Sequence, residues 1–177
     1  MKELSFVLSI LGLVAMLGAS LIKGKRMNYI LFLVLLGNLL IGVSYHLDGG
    51  INGAVSCYLG AAITFVNFLF ERREKAIPKW LTLIYMVAFV GLNIFVSVTG
   101  GGITLPTVIA IIAAVVFVLC VGQKNGAKYR FWTLFNVGLW ILHDIVALTF
   151  GPLVSHAIQF ITALTGAILH DRKDKNN

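Results

Sequence analysis

The chain has 177 residues, of which 59% are hydrophobic and 12% are charged, and its mean hydropathy is +0.94. Soluble domains are usually about half apolar and about a quarter charged, so this composition excludes an ordinary soluble domain and is typical of a membrane protein. The net charge of +7 does not point to nucleic acid, because the Lys and Arg residues lie in short loops between apolar stretches, where orientation in a membrane accounts for them. We therefore expect membrane lipid, and no nucleic acid, as a partner.

Apolar runs separated by polar breaks predict seven membrane-spanning helices. Each run is about 20 residues long, which is the length that the hydrocarbon core of a bilayer requires. The first, from Lys2 to Ile22, also has the outline of a signal peptide, but its apolar run is long for one, and the basic residues after it are expected to retain it as an uncleaved span. The predicted spans are residues 4–22, 28–47, 52–70, 79–98, 104–122, 130–150 and 153–170.

Basic residues mark every second break between the predicted spans. Of the 14 Lys and Arg residues, only Lys2 lies outside four clusters. Short loops rich in Lys and Arg stay in the cytoplasm, so this alternation predicts that the N-terminus is outside and the C-terminus inside. The clusters are Lys23, Lys25 and Arg26; Arg72, Arg73, Lys75 and Lys79; Lys124, Lys128 and Arg130; and Arg172, Lys173 and Lys175.

The chain, a single membrane domain over residues 1–177, is predicted to contain an internal duplication. A shift of 100 residues superposes the basic loops and lays residues 4–73 on residues 104–173, as two three-helix bundles. Three helices are an odd number, so a linker helix over residues 79–98 is needed to give both bundles the same orientation, a parallel repeat about an axis along the membrane normal. The predicted fold is an all-α membrane protein of seven transmembrane helices in a 3+1+3 arrangement.

This arrangement resembles the SWEET and PQ-loop class of small transporters, which includes nicotinamide riboside transporters, although the Pro-Gln dipeptides that name the PQ-loop class are absent. More closely, the chain resembles the YgjV family of bacterial inner membrane proteins. The resemblance implies a multi-pass protein of the bacterial inner (plasma) membrane. The matching features are the loop from Lys23 to Arg26, Asn52-Gly53-Ala54, Arg72, Leu105-Pro106, Trp140 and Arg172.

The second and sixth predicted spans carry matching polar stripes. Asn136, Trp140 and His143 are spaced i, i+4, i+7 and so lie on one helix face. A shift of 98 residues lays Asn38 and Tyr45 on Asn136 and His143. Facing each other, the two stripes would enclose a cavity whose aromatic and amide groups suit a planar or ring-shaped polar solute. The predicted substrate-binding residues are Asn38, Tyr45, Asn136, Trp140, His143 and Gln159.

Each of these residues also has a structural interpretation. Asn side chains in membrane helices often only form hydrogen bonds to neighbouring helices, at about 0.6 kcal/mol per pair. Trp140 and Tyr45 fall far enough along their spans to be interfacial anchors. The sequence leaves both interpretations open.

Asp144 is the only acidic residue well inside a predicted span. An ionised carboxylate in the membrane is costly unless it faces water or a partner, so such residues often mark ion or proton pathways. We expect Asp144 to be a proton-coupling residue, and a purely structural pair with His143 or His156 is the alternative.

The sequence therefore predicts transport of a small polar solute, such as a sugar, nucleoside or vitamin, by alternating access between two three-helix bundles. We expect no enzymatic activity, cofactor or metal, and the protein could act as a monomer or a homo-oligomer. One alternative is a membrane scaffold or accessory subunit that transports nothing. The other is a metal or haem enzyme based on His46, His143 and His156, whose spacing matches no common metal-binding motif.

Overall fold

The computed structural model describes residues 2–23, 26–48, 51–99 and 102–171. They form seven α-helices, which confirms the prediction of an all-helical chain with seven helices. Lys25 and the last basic cluster, from Arg172 onward, lie outside the described residues. The helices are α1 (Lys2–Leu21), α2 (Met27–Leu47), α3 (Ile51–Arg72), α4 (Lys79–Thr99), α5 (Leu105–Val121), α6 (Gly126–Ala147) and α7 (Phe150–Asp171).

Five of these helices, α1, α2, α3, α4 and α7, are long and apolar enough to cross a membrane. The fifth helix, α5, is also apolar, but it is shorter, at 17 residues. The sixth helix, α6, carries most of the predicted polar stripe and is not among the five. The helix set is compatible with a multi-pass membrane protein.

The start of α6 differs most from the predicted span. The helix begins at Gly126 rather than residue 130, because the side chain of Asn125 caps it and accepts a hydrogen bond from the Ala127 N–H at 2.7 Å. Arg130 therefore lies in the second turn of α6, where it is fully buried. The prediction had placed this residue at the edge of a cytoplasmic loop.

The helices pack in sequence around a ring. Each helix contacts its neighbours in the chain, and α7 closes the ring on α1. In the first group α2 lies between α1 and α3, in the last group α6 lies between α5 and α7, and α4 packs mainly on α5. Glycine permits the close approach of α1 and α2, since a Cβ on Gly12 would lie 3.1 Å from the Gly37 carbonyl oxygen.

The two ends of the bundle differ in charge. The acidic end carries Glu3 at the start of α1, Asp48 at the C-cap of α2 and Asp144 in the last turn of α6, and Lys2 begins α1 at the same end. The basic end carries nine described Lys and Arg residues, in its loops and in the adjoining helix ends. They are Lys23, Arg26, Arg72, Arg73, Lys75, Lys79, Lys124, Lys128 and Arg130.

All described hydrogen bonds between the first helix group (α1, α2 and α3) and the last helix group (α5, α6 and α7) lie at the basic end. In one direction Asn67 of α3 donates to the carbonyl oxygen of Val121, at the end of α5, at 3.0 Å. In the other, His170 of α7 contacts the carbonyl oxygen of Leu21, at the end of α1, at 2.9 Å. The bundle is therefore held together across its two groups at one end.

Arg130 belongs to the same set of contacts at the basic end. Its guanidinium donates to the Ile22 carbonyl oxygen at 2.8 Å, just beyond the last turn of α1. The last carbonyls of a helix have no partner within the helix and carry a partial negative charge, so a cation is a favourable partner there. Next to it, α7 approaches α1 so closely that a Cβ on Gly166 would overlap the Ser20 carbonyl oxygen.

Candidate functional site

Asp144 is buried in the last turn of α6, with 2% of its surface exposed. Its Oδ2 lies 2.6 Å from Nδ1 of His156, and its Oδ1 lies 3.1 Å from Nδ1 of His143. Thr149 Oγ1 donates to the same Oδ1 at 3.1 Å. We call these residues, together with Trp140, the Asp144 cluster.

A tight turn after α6 brings Thr149 back to the carboxylate. Leu148 adopts the left-handed conformation, with φ of 55°, which costs a non-glycine residue about 1–2 kcal/mol. The Thr149 N–H then donates to the Asp144 carbonyl oxygen at 2.9 Å. Thr149 thus donates one hydrogen bond to the main-chain carbonyl oxygen of Asp144 and another to its carboxylate.

The position of Asp144 in its helix works against helix stability. A negative charge in the last turn of a helix lies next to the negative end of the helix dipole, and this interaction destabilises the helix. The partners of Asp144 from α7 and from the turn after α6 offset this cost. Because helix formation alone disfavours an acid here, the position is a candidate functional site.

Trp140 organises the two histidines of the cluster. Its ring stacks on His156 at 5.8 Å between centroids and an angle of 17°, and it meets His143 edge-on at 5.2 Å and 71°. The histidine side chains are 22% and 24% exposed, so the cluster is partly accessible.

A cavity of about 660 Å³ lies between α1 and α2 at the acidic end. Ser5 Oγ donates to Asp48 Oδ2 at 2.6 Å, and Ser44 Oγ donates to the Ser5 carbonyl oxygen at 2.8 Å. The polar residues of the lining are Ser5, Ser9, Ser44, Tyr45 and Asp48.

The structure groups only part of the predicted substrate-binding residues. Trp140 and His143 are in direct contact, whereas Tyr45 lines the cavity between α1 and α2. Asn38 donates to the Val34 carbonyl of its own helix at 2.9 Å, and Asn136 donates across to Ala113 of α5 at 2.7 Å. These two amides are thus bonded to helix backbones, as their structural interpretation expects.

Gln159, the remaining predicted binding residue, lies half-buried in α7, three residues after His156. His156 is the residue of this helix that reaches the carboxylate. It was predicted as a structural partner of Asp144 and as a candidate metal ligand, but not among the substrate-binding residues. Thr149 was not predicted at all, because its contact depends on the left-handed turn at Leu148. No apolar or polar periodicity signals such a turn.

The alternative metal or haem site would use His46, His143 and His156. Within the described part of the chain, no group of three or more His, Cys, Asp or Glu side chains is arranged to hold a metal ion.

Fold and site together define an all-helical protein with helices able to span a membrane and with a buried carboxylate between two histidines at one end. The chain matches no protein-family model, and comparisons with curated proteins and with solved structures find no match either. The resemblance to the YgjV family stays a prediction.

Proposed function

We propose that this protein transports a small polar solute across the bacterial inner membrane by alternating access between two three-helix bundles. The observation that carries the proposal is the asymmetry of the bundle along its axis. The acidic end has a cavity between α1 and α2 and a buried carboxylate with partly exposed histidine partners on α6 and α7, whereas at the basic end hydrogen bonds join the two helix groups. A site open on one side only is what one state of an alternating-access transporter requires.

The bonds at the basic end support the 3+1+3 parallel repeat. Asn67 of the third helix bonds to Val121 at the end of the fifth, and His170 of the seventh bonds to Leu21 at the end of the first. Val121 and Leu21 are separated by 100 residues, the shift of the proposed duplication. Each bundle thus uses its third helix to bond the end of the other bundle's first helix, as two-fold pseudosymmetry predicts.

The proposed orientation places the basic end in the cytoplasm, with the N-terminus outside and the C-terminus inside, because Lys- and Arg-rich short loops are retained there. We expect a single cysteine at Asn52 to react in intact cells with a membrane-impermeant thiol reagent, and one at Lys75 to react only after the cells are opened. Labelling of Lys75 from outside would overturn the orientation.

The proposed solute site joins the cavity to the Asp144 cluster. Trp140 and His156 supply stacked aromatic rings beside Asp144, and Tyr45 supplies an aromatic ring in the cavity. Asp144 is the proton-coupling residue of this proposal, because a proton added to the cluster would neutralise a charge that the membrane disfavours. No catalytic step or cofactor is part of the proposed cycle.

A ligand screen followed by flux measurement tests the proposal. Purified protein is screened by thermal shift against sugars, nucleosides, vitamins and amines, because a solute that binds only the folded protein raises its apparent stability. Each hit is then measured by counterflow in proteoliposomes, with protein-free vesicles as the control. We expect at least one solute to exchange. A protein that binds solutes but exchanges none would instead act as a scaffold or accessory subunit.

A further inference from the structure

We infer that the basic end binds the headgroup of an anionic phospholipid at one place, a surface patch where α2 begins and α3 ends. The patch combines two arginine side chains with three aromatic rings, and we call it the lipid patch. The inference needs helices that lie in a membrane, and it does not depend on transport of a solute. The residues of the lipid patch are Arg26, Tyr29, Phe32, Phe68 and Arg72.

Each arginine of the lipid patch is held over an aromatic ring. The guanidinium carbon of Arg26 lies 5.9 Å from the centre of the Tyr29 ring, and that of Arg72 lies 5.8 Å from the centre of the Phe68 ring. The rings of Phe32 and Phe68 are 6.3 Å apart between centroids, which joins the start of α2 to the end of α3. The rings attract the guanidiniums and restrict their motion, so less side-chain entropy is lost when they bind an anion.

Both guanidiniums keep their capacity to bind an anion. Within the described residues, neither Arg26 nor Arg72 forms an ion pair with a carboxylate, and Glu71 pairs with Lys124 at 3.7 Å instead. The guanidinium group is planar and presents its N–H donors as a fork that matches the oxygens of a phosphate. A phosphate is therefore the anion that these two side chains suit.

Helix stability explains the position of Arg72 but not that of Arg26. Arg72 lies in the last turn of α3, where the negative end of the helix dipole stabilises a cation. Arg26 is the N-cap of α2, where the positive end of the dipole disfavours a cation, and its side chain caps no backbone N–H. An anion bound beside Arg26 would be stabilised by the guanidinium and by the helix dipole together.

The exposed rings of the lipid patch suit the apolar part of the same ligand. Tyr29 is 56% exposed and Phe32 is 49% exposed. Phe32 follows Arg26 by six residues, so it lies about 9 Å further along the helix and deeper in the membrane. A phospholipid has the same order, with its phosphate at the membrane surface and its acyl chains beneath. A soluble phosphate would use the guanidiniums but would leave the rings without a partner.

The charge of the basic end selects a phospholipid with a net negative charge. Lys and Arg residues near the membrane surface attract anionic lipids. A zwitterionic lipid offers the same phosphate but also carries a cation, which this end repels. Among the described residues, nine Lys and Arg lie here with only three acidic residues, Glu71, Glu74 and Asp171.

Native mass spectrometry of the purified full-length protein in an uncharged detergent measures the lipid preference. The two probes are phosphatidylglycerol and phosphatidylcholine with the same acyl chains, and each is titrated separately. We expect the first molecule of phosphatidylglycerol to bind about tenfold more tightly than the first molecule of phosphatidylcholine. Equal affinities, including no binding of either lipid, overturn the inference.

Two matched double variants locate the preference. Arg26→Gln with Arg72→Gln removes both guanidiniums of the lipid patch and should reduce the preference to less than about twofold. Arg73→Gln with Lys75→Gln removes two exposed cations from the same end but outside the lipid patch, and should keep most of the preference. Equal losses in the two double variants would mean that the whole basic end attracts the lipid, and would overturn the inference.

The single variants keep the test decisive if the first double variant does not fold. Arg26→Gln and Arg72→Gln are each expected to lower the preference about threefold. A preference that is unchanged in both single variants contradicts the inference.

A last measurement distinguishes a lipid from a soluble phosphate. Glycerol 3-phosphate carries the phosphate of the headgroup without acyl chains, and in large excess it should not displace bound phosphatidylglycerol. Displacement would make the patch a site for soluble phosphates and would sink the proposal of a lipid. None of these measurements contains a transported solute, so the lipid patch and the proposed transport can fail independently.

Discussion

Replacing Arg130 with Met is expected to destabilise the protein by removing a buried contact between α6 and the end of α1. Methionine keeps much of the buried volume but cannot donate to the Ile22 carbonyl, which then remains unsatisfied next to the last turn of α1. Losing a hydrogen bond to a charged group costs about 1.5–3 kcal/mol. For a chain of this size that corresponds to a fall of roughly 5–10 °C in melting temperature, which a thermal unfolding scan in detergent measures.

Lys128→Met is the matched control, because Lys128 lies two residues before Arg130 in α6, carries the same charge and is exposed. It should change the melting temperature by no more than about 1–2 °C, since surface substitutions are usually within about 0.5 kcal/mol. Equal effects of the two substitutions would show that the loss of charge, and not the contact with α1, decides stability.

Asp144→Asn is expected to abolish accumulation of solute against its gradient while leaving counterflow exchange largely intact. Asparagine keeps an oxygen that can accept from His156, so the site persists, but it can no longer gain and lose a proton. Exchange of solute for solute needs the site alone, whereas accumulation needs net movement of the driving proton. Uptake into proteoliposomes with and without an imposed proton gradient separates the two activities.

Glu3→Gln is the matched control, because it removes one carboxylate from an exposed position at the acidic end. This variant should accumulate solute normally. Normal accumulation by Asp144→Asn, or merely a lower yield of folded protein, would mean that Asp144 is structural. The cluster would then serve to fasten α7 to the end of α6 through His156 and Thr149.

The helices could be predicted from the sequence because hydropathy is a local property. Seven apolar runs became seven helices, with most ends within a few residues of the prediction. The predicted start of α6 was wrong because a predicted span begins where charged residues end. Arg130 is the last charged residue before the apolar run, so the span was predicted to begin there. The hydrogen-bond partner of Arg130 is Ile22, at a separation of 108 residues. Whether a charged side chain is buried depends on such distant partners, which one sequence does not reveal.

The candidate site was predictable to the extent that it lies on one helix. Trp140 and His143 were found from helical spacing, and their ring contact fits that spacing. His156 reaches Asp144 from the next helix, and Thr149 reaches it through a left-handed turn. For Asn38 and Asn136 the sequence left two interpretations open, and their hydrogen bonds to backbone carbonyls follow the structural one. A role in binding solute stays a prediction for both.

The sixth helix holds a buried cation near one end and a buried anion near the other, 14 positions apart in the chain and about 21 Å apart along the axis. In the proposed orientation, with the basic end in the cytoplasm, Arg130 would lie on the side where a resting cell is electrically negative, and Asp144 on the positive side. Moving one charge across the full potential involves about 2.3 kcal/mol per 100 mV. In that orientation the membrane voltage would favour the direction in which α6 points, whereas a shift of the whole helix along its axis would do no net work, because its two opposite charges move through the field together.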